Sequence, residues 1–332
     1  MSSAPIVELS HASVDFMGPA AVTSAVHDVS FAVPKGEIFG LVGESGCGKS
    51  TLAMMLMGLL PATARVTGSV HFDGRDITHL SEEQWRLLRG DQVSLILQDP
   101  RSALDPVMAV GDQVAEIIRA HRPVSRREAR ILATQALTQT GIVNAAQRYA
   151  DPPHRFSGGM CQRVVIAAAL ANSPGLLIAD EPTTALDVTI QAQILALLRS
   201  LQTAMSMTVI LITHDMGVVA QMCDRVGVMY AGELVEVGDV HDVFAAPAHP
   251  YTEALLAAIP TARRRTGPLK VIPGQVADLS NPPAGCRFKD RCGYRVPACE
   301  QTPELLEIRP SHAAACWKRG TYRAIAPEAV RS

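Results

Sequence analysis

Gly43-Glu44-Ser45-Gly46-Cys47-Gly48-Lys49-Ser50 is the stretch that decides the fold. Two glycines bracket four residues, and a lysine and a hydroxyl close the run; that pattern has a physical task. Glycines let backbone amides converge on phosphate oxygens, and a helix start behind them adds favourable partial charge. Both flanks suit the task. Glu37-Ile38-Phe39-Gly40-Leu41-Val42 reads as a buried strand running into the loop, and residues 51–60 as the helix that leaves it. A glycine-rich turn that binds nothing would account for the eight residues alone, but not for the eight with a strand before them and a helix behind. In such a cradle Gly43, Ser45, Gly46 and Gly48 line the loop and Lys49 suits the outer phosphates. The Ser50 hydroxyl suits Mg²⁺, and Thr51 suits a further phosphate contact.

Working outward, residues 6–16 and 25–33 alternate as short strands broken by the Gly18-Pro19 turn signal, which predicts a small antiparallel entry sheet. Downstream, residues 102–149 are mostly helical in pattern, most clearly at 110–120 and 126–140. Two more apolar strands follow at 175–180 and 208–213, separated by an amphipathic run over 188–204. Strand and helix in alternation imply a parallel sheet with crossovers, hence an α/β fold. The strand at 175–180 delivers Asp180 and Glu181 at its C-terminal edge, where open α/β sheets bind ligands. Asp180 is suited to hold the metal and Glu181 to polarise an attacking water as general base. An acidic turn ending a strand is common on its own; the phosphate loop upstream tips the balance towards catalysis.

Composition bounds the alternatives. The chain has 332 residues, 48% of them hydrophobic and only 4% aromatic, which suits one large domain with a smaller appendage. A net charge of −2 gives no sign of a nucleic-acid partner. No apolar run reaches the 18 residues a membrane span needs; residues 164–171 are soon broken by Asn172, Ser173 and Pro174. The start carries no basic and apolar leader, so a cytoplasmic chain with reduced or metal-bound cysteines is expected. Each motif occurs once, which predicts a single cassette.

Phe156-Ser157-Gly158-Gly159-Met160-Cys161-Gln162-Arg163, with Ser157 lying 23 residues before Asp180, resembles the signature motif of the ATP-binding cassette (ABC) ATPases. Other matches follow in that family's order: Gln98 after an apolar strand, Ala185-Leu186-Asp187, and His214 after Ile212-Thr213. The resemblance implies an ABC-type phosphate-loop ATPase that uses ATP and Mg²⁺ and works as a nucleotide-sandwiching pair. Ser157, Gly158 and Gly159 would face the γ-phosphate held by the other subunit, and Asp187 would keep the opposing pocket in register. Gln98 would reach Mg²⁺ and the attacking water, and His214 would contact the γ-phosphate and position Glu181. The adenine-stacking aromatic is assigned to Phe16, with Val22 and Thr23 as the alternatives. Met160 and Cys161 depart from the commonest signature, and Cys47 replaces a frequent serine.

Further stretches resemble the oligopeptide/dipeptide (peptide/nickel) branch of importer ATPases: Leu97-Gln98-Asp99-Pro100, Leu104-Asp105-Pro106, residues 180–193 and His249-Pro250-Tyr251-Thr252. That likeness covers nearly the whole chain. It implies a cassette over 1–250, with a helical subdomain at about 99–160, and a cysteine-bearing extension over 251–332. It also implies a second, related ATPase subunit in a heterodimer, two transmembrane permease subunits and an extracytoplasmic solute-binding protein, at the cytoplasmic face of the cell membrane. The cargo would be di- or oligopeptides. Cys286, Cys292, Cys299 and Cys316 are spaced by six, seven and seventeen residues. Four cysteines so gathered suggest a tetrathiolate site, for a [4Fe-4S] cluster, for zinc, or for no metal at all, since paired C-x₂-C spacing is absent. Two rivals stand beside this reading: a soluble ABC ATPase acting on nucleic acid or ribosomes, and a metal-responsive regulator that only binds nucleotide.

Overall fold

A computed structural model describes residues 4–18, 21–184, 186–259 and 272–318. In chain order the strands and helices begin with β1 (Pro5–Met17), β2 (Val22–Pro34), β3 (Ile38–Val42), α1 (Lys49–Leu56), β4 (Ala64–Phe72), β5 (Arg75–Asp76), α2 (Glu82–Leu88) and β6 (Val93–Ile96). A helical stretch follows, α3 (Val110–His121), α4 (Arg126–Gln139), α5 (Ala145–Arg148) and α6 (Gly158–Leu170), before β7 (Leu176–Asp180), α7 (Val188–Met205) and β8 (Thr208–Thr213). The remainder comprises α8 (Met216–Met222), β9 (Arg225–Tyr230), β10 (Glu233–Asp239), α9 (Val240–Ala245), α10 (Pro250–Ala258), β11 (Leu306–Arg309) and β12 (His312–Ala314).

The chain divides into two compact units, Met1–Thr78 with Ile212–Ser332 and, separately, His79–Leu211, the boundary falling inside β8. In the first unit β1 lies between β2 and β4 in an antiparallel sheet, the entry sheet predicted from alternation. A second sheet there runs β11-β12-β10-β9-β3. Its β3 and β9 are parallel, with Val42 opposite Val228, while β9, β10 and β12 pair antiparallel. β3 is buried at all five positions, as expected of a strand covered on both faces. The core of this unit joins Val42, Val219, Val226, Val228, Tyr230, Val235, Tyr251 and Phe288. Tyr251 and Phe288 meet the Tyr230 ring at 4.8 and 5.1 Å in edge-on geometry, a contact worth about 1 kcal/mol per pair beyond burial.

In the second unit β6 and β7 are parallel, Val93 opposite Leu176. Its helices pack on fully buried small and aliphatic residues: Val114 and Ile118 of α3, Ala129, Ala133 and Leu137 of α4, and Val164 and Ile166 of α6. Small residues on α4 let helix axes approach closely. Two capping boxes fix helix starts, Ser81 with Gln84 at α2 and Ser125 with Glu128 at α4.

One boundary departs from expectation. The helix behind the phosphate loop stops at Leu56, not at residue 60. Gly58 takes φ +59, and the Leu59 and Gly58 amides turn back onto the Met54 and Met55 carbonyls at 2.9 and 3.1 Å. That pair of bonds is a Schellman cap closed by a left-handed glycine.

Candidate functional site

The phosphate loop sits in the first unit between β3 and α1, as its flanks predicted. Gly48 takes φ +101 at the N-cap of α1, and a Cβ there would lie 2.2 Å from the Ala25 carbonyl oxygen, so only glycine fits. Lys49 is buried, and its Nζ donates to the Gly43 and Glu44 carbonyls at 2.8 and 3.0 Å, curling the loop around one cation. Ser45, Gly46 and Ser50 face solvent while Cys47, Gly48 and Lys49 are buried, so exposed and anchored positions interleave along the loop. Burial raises the Cys47 thiol, which stays neutral beside Lys49. Thr51 is half-buried in the first turn of α1. Phe16 lies in β1 opposite Thr23 and Ala64, half-buried.

Several residues outside the motif hold the loop. The Glu44 amide donates to Tyr251 Oη at 2.9 Å, its carboxylate takes Arg291 Nη1 and Nη2 at 2.6 and 3.0 Å, and the Cys47 carbonyl accepts from the Gly232 amide at 3.0 Å. Sequence reading missed all three partners. His-Pro-Tyr-Thr was visible as a branch motif, but nothing local links Tyr251 to a loop 207 positions upstream. His214 is exposed immediately after β8, and Asp215 beside it caps α8 through the Gly217 and Val218 amides.

In the second unit β7 ends at Asp180 and the chain turns at Glu181 with φ +47, a left-handed conformation uncommon outside glycine. Glu181 Oε2 accepts from Gln98 Nε2 at 3.1 Å and from Thr184 Oγ1 at 2.7 Å. The structure thus brings together Gln98 and Glu181, which sequence order alone could only place on separate loops. Ser157 caps α6 by accepting from the Met160 amide, so Gly158 and Gly159 open that helix. Arg148 lies 4.0 Å over the Phe156 ring and its Nη1 meets the Met160 sulfur at 3.4 Å, giving the unusual methionine a partner. Cys161 is buried and donates to the Pro153 carbonyl at 3.6 Å. Asp187 caps α7, accepting from the Ile190 amide at 3.0 Å; Ala185 lies outside the described residues.

Each unit offers the hard oxygen donors that Mg²⁺ prefers, the exposed Ser50 hydroxyl in one and the Asp180 carboxylate with the Gln98 amide in the other. The iron–sulfur expectation, by contrast, is overturned. Cys286, Cys292, Cys299 and Cys316 line one small recess with His249, Phe288 and Trp317. Among the described residues no group of three or more His, Cys, Asp or Glu is arranged to hold a metal ion. Desolvation pushes the Cys286 thiol up to about 12 and raises that of Cys292.

Comparison with known proteins agrees with these geometries. The ABC transporter family model matches residues 26–184, and that of the oligopeptide/dipeptide transporter C-terminal region matches 235–299. A probable peptide ABC transporter ATP-binding protein, y4tR of Sinorhizobium fredii, is 52% identical over 307 residues, 91% of this chain and 92% of the relative. The dipeptide transport ATP-binding protein DppD of Bacillus subtilis is 46% identical, covering 94% of each chain. The oligopeptide transport ATP-binding protein OppD of Salmonella typhimurium is 44% identical, covering 94% of this chain and 93% of its own. Among solved structures, the dimeric post-hydrolysis state of the cassette MJ0796 bound to ADP and Pi superposes with a TM-score of 0.64 at 27% identity, over 70% of this chain and 98% of that one. The chain belongs to the ABC transporter family as an ATP-hydrolysing, ATP-binding subunit, in the branch that carries the oligopeptide/dipeptide transporter C-terminal region.

Proposed function

We propose that this chain powers import of di- or oligopeptides as one of two related ATPase subunits in a heterodimer. The pair would be seated on two permease subunits at the cytoplasmic face of the membrane and served by an extracytoplasmic solute-binding protein. The observation that carries the reading is likeness along more than nine-tenths of the chain to ATP-binding proteins named for peptide transport. It is supported by the match of the C-terminal region to a segment specific to oligopeptide/dipeptide transporters. Among the described residues no helix is long and apolar enough to cross a membrane, so in this reading other chains supply the pore.

In this mechanism the cassette spans 1–250, with its helical subdomain at about 99–160, and 251–332 is the extension. The phosphate-loop amides and Lys49 would bind the triphosphate, and Ser50, Asp180 and Gln98 would hold Mg²⁺, which would supply neutralisation of phosphate charge. Glu181 takes the proton of the attacking water, oriented by Gln98 and Thr184. Ser157, Gly158 and Gly159 would serve the partner's nucleotide, Asp187 would keep the opposing pocket in register, and His214 would contact the γ-phosphate and position Glu181. Phe16 stacks on the adenine.

Solubilising native membranes and identifying what co-purifies with the tagged chain tests this reading. Two multispanning proteins, a second cassette chain and a solute-binding protein are expected. Recovery of ribosomal or DNA-repair proteins in their place would overturn it.

A further inference from the structure

Two of the contacts that hold the phosphate loop lead back to a short stretch of the C-terminal region, Arg287 to Arg291, that has no part in the motif set. Arg291 is 5% exposed at its side chain and spends all its donors. Nη1 and Nη2 fork onto the Glu44 carboxylate, Nη1 also reaches Tyr230 Oη at 3.4 Å, and Nε donates to the Pro273 carbonyl at 2.8 Å. Four residues earlier Arg287, 6% exposed, donates Nη1 to the Ala231 carbonyl at 2.5 Å and pairs Nε with Glu233 at 2.9 Å. Ala231 and Gly232 form the tight turn between β9 and β10, both at positive φ, and Gly232 is the residue whose amide holds Cys47. Between the two arginines Phe288 is buried against Tyr230 and Tyr251. One rigid stretch thus reaches the loop by two routes, directly at Glu44 and through the turn at Cys47.

The charge at Glu44 gives this arrangement a consequence beyond stability. A carboxylate within a loop that binds a triphosphate repels its ligand unless it is neutralised, and a buried bidentate guanidinium neutralises it at fixed geometry. The same contact fixes the residue whose carbonyl receives Lys49 Nζ, so loop shape and lysine position are set together.

We propose that residues 286–292 brace the phosphate loop and that Arg291, 247 positions downstream of Glu44, is a positioning residue for ATP. This rests on the reading of Gly43 to Thr51 as the phosphate cradle. The test is ATPase kinetics of the assembled transporter. Arg291→Ala should raise KM for ATP about tenfold, the effect of exposing one uncompensated charge, while kcat changes less than about twofold. Adding Glu44→Gln to that variant removes the naked carboxylate and should bring KM back to within about threefold of wild type. Arg291→Lys, which keeps the charge but loses the fork, should fall between.

The proposal is overturned if KM is unchanged in Arg291→Ala, or if Glu44→Gln gives no relief and activity merely follows the folded fraction measured by melting. Should Arg291→Ala not assemble, Arg291→Lys with and without Glu44→Gln decides by the same KM comparison. Lys49→Ala separates the two levels. If it binds ATP like wild type, the cradle reading fails and the brace with it. If it abolishes binding while Arg291→Ala changes nothing, the brace alone is overturned.

Discussion

In the proposed mechanism the chemistry concentrates on Glu181 at the scale of the single residue. Its place at the end of an apolar strand was legible, because the phosphate loop upstream turns a common acidic strand ending into a catalytic candidate. Its left-handed backbone and its bonds to Gln98 and Thr184 were not, since they depend on how β6 and β7 align. Glu181→Gln keeps the size and hydrogen-bonding reach of the side chain but cannot accept a proton. ATP hydrolysis should fall by about 10²- to 10⁴-fold with nucleotide binding retained, as read by turnover and equilibrium ATP binding on the same preparation. Undiminished turnover would remove Glu181 from the role of base. Arg291 marks the opposite limit of legibility: an arginine among several in a cysteine-bearing stretch, tied to a glutamate that local pattern had no means of reaching.

Among the elements, α10 and its cap show how sequence punctuation becomes energy. His249 is fully buried, its Nδ1 accepts the Tyr251 amide at 3.1 Å, and desolvation lowers its pKa to about 3. The unfolded chain's imidazole takes a proton near the ordinary value of 6.5 and the folded one refuses it. Between those values the unfolded state binds more protons, so the stability His249 confers is present above about pH 6.5 and is lost progressively as pH falls towards 3. From pH 7 to pH 5 the loss from this one group comes to about 2 kcal/mol. Denaturant unfolding of the purified chain at the two pH values should show that difference in wild type and less of it in His249→Gln; equal slopes would contradict the assignment. His249-Pro250-Tyr251-Thr252 was legible only as a branch motif; the helix it opens and the burial that makes His249 pH-dependent belong to tertiary packing. Misjudging the end of α1 had a local cause: Gly58 was readable as a left-handed cap, but the apolar Leu59 and Leu60 extended the helical period past it.

Across the whole molecule, the alternation of strand and helix placed the phosphate loop in an α/β sheet, and the likeness of Phe156 to Arg163 to the signature motif, with the ordered motifs around it, pointed to an ABC cassette. Less was legible after residue 251. There the chain folds through short turns and the β11–β12 hairpin, whose His312 is buried against Glu236 at 2.8 Å while the Ala248 and His249 amides serve the same carboxylate. Cysteine counting suggested a metal in this region, whereas the structure shows one buried and three half-buried cysteines lining a small recess near a clamp on the phosphate loop. Cysteine spacing read without burial could not tell these apart.

The central claim is that hydrolysis by this chain drives peptide uptake. It is tested most directly by reconstituting the complete transporter in proteoliposomes with ATP on the cassette side and following a labelled di- or oligopeptide delivered by the solute-binding protein. Accumulation that requires ATP and is lost in Glu181→Gln is the predicted result; accumulation independent of ATP, or equal in that variant, would contradict the account.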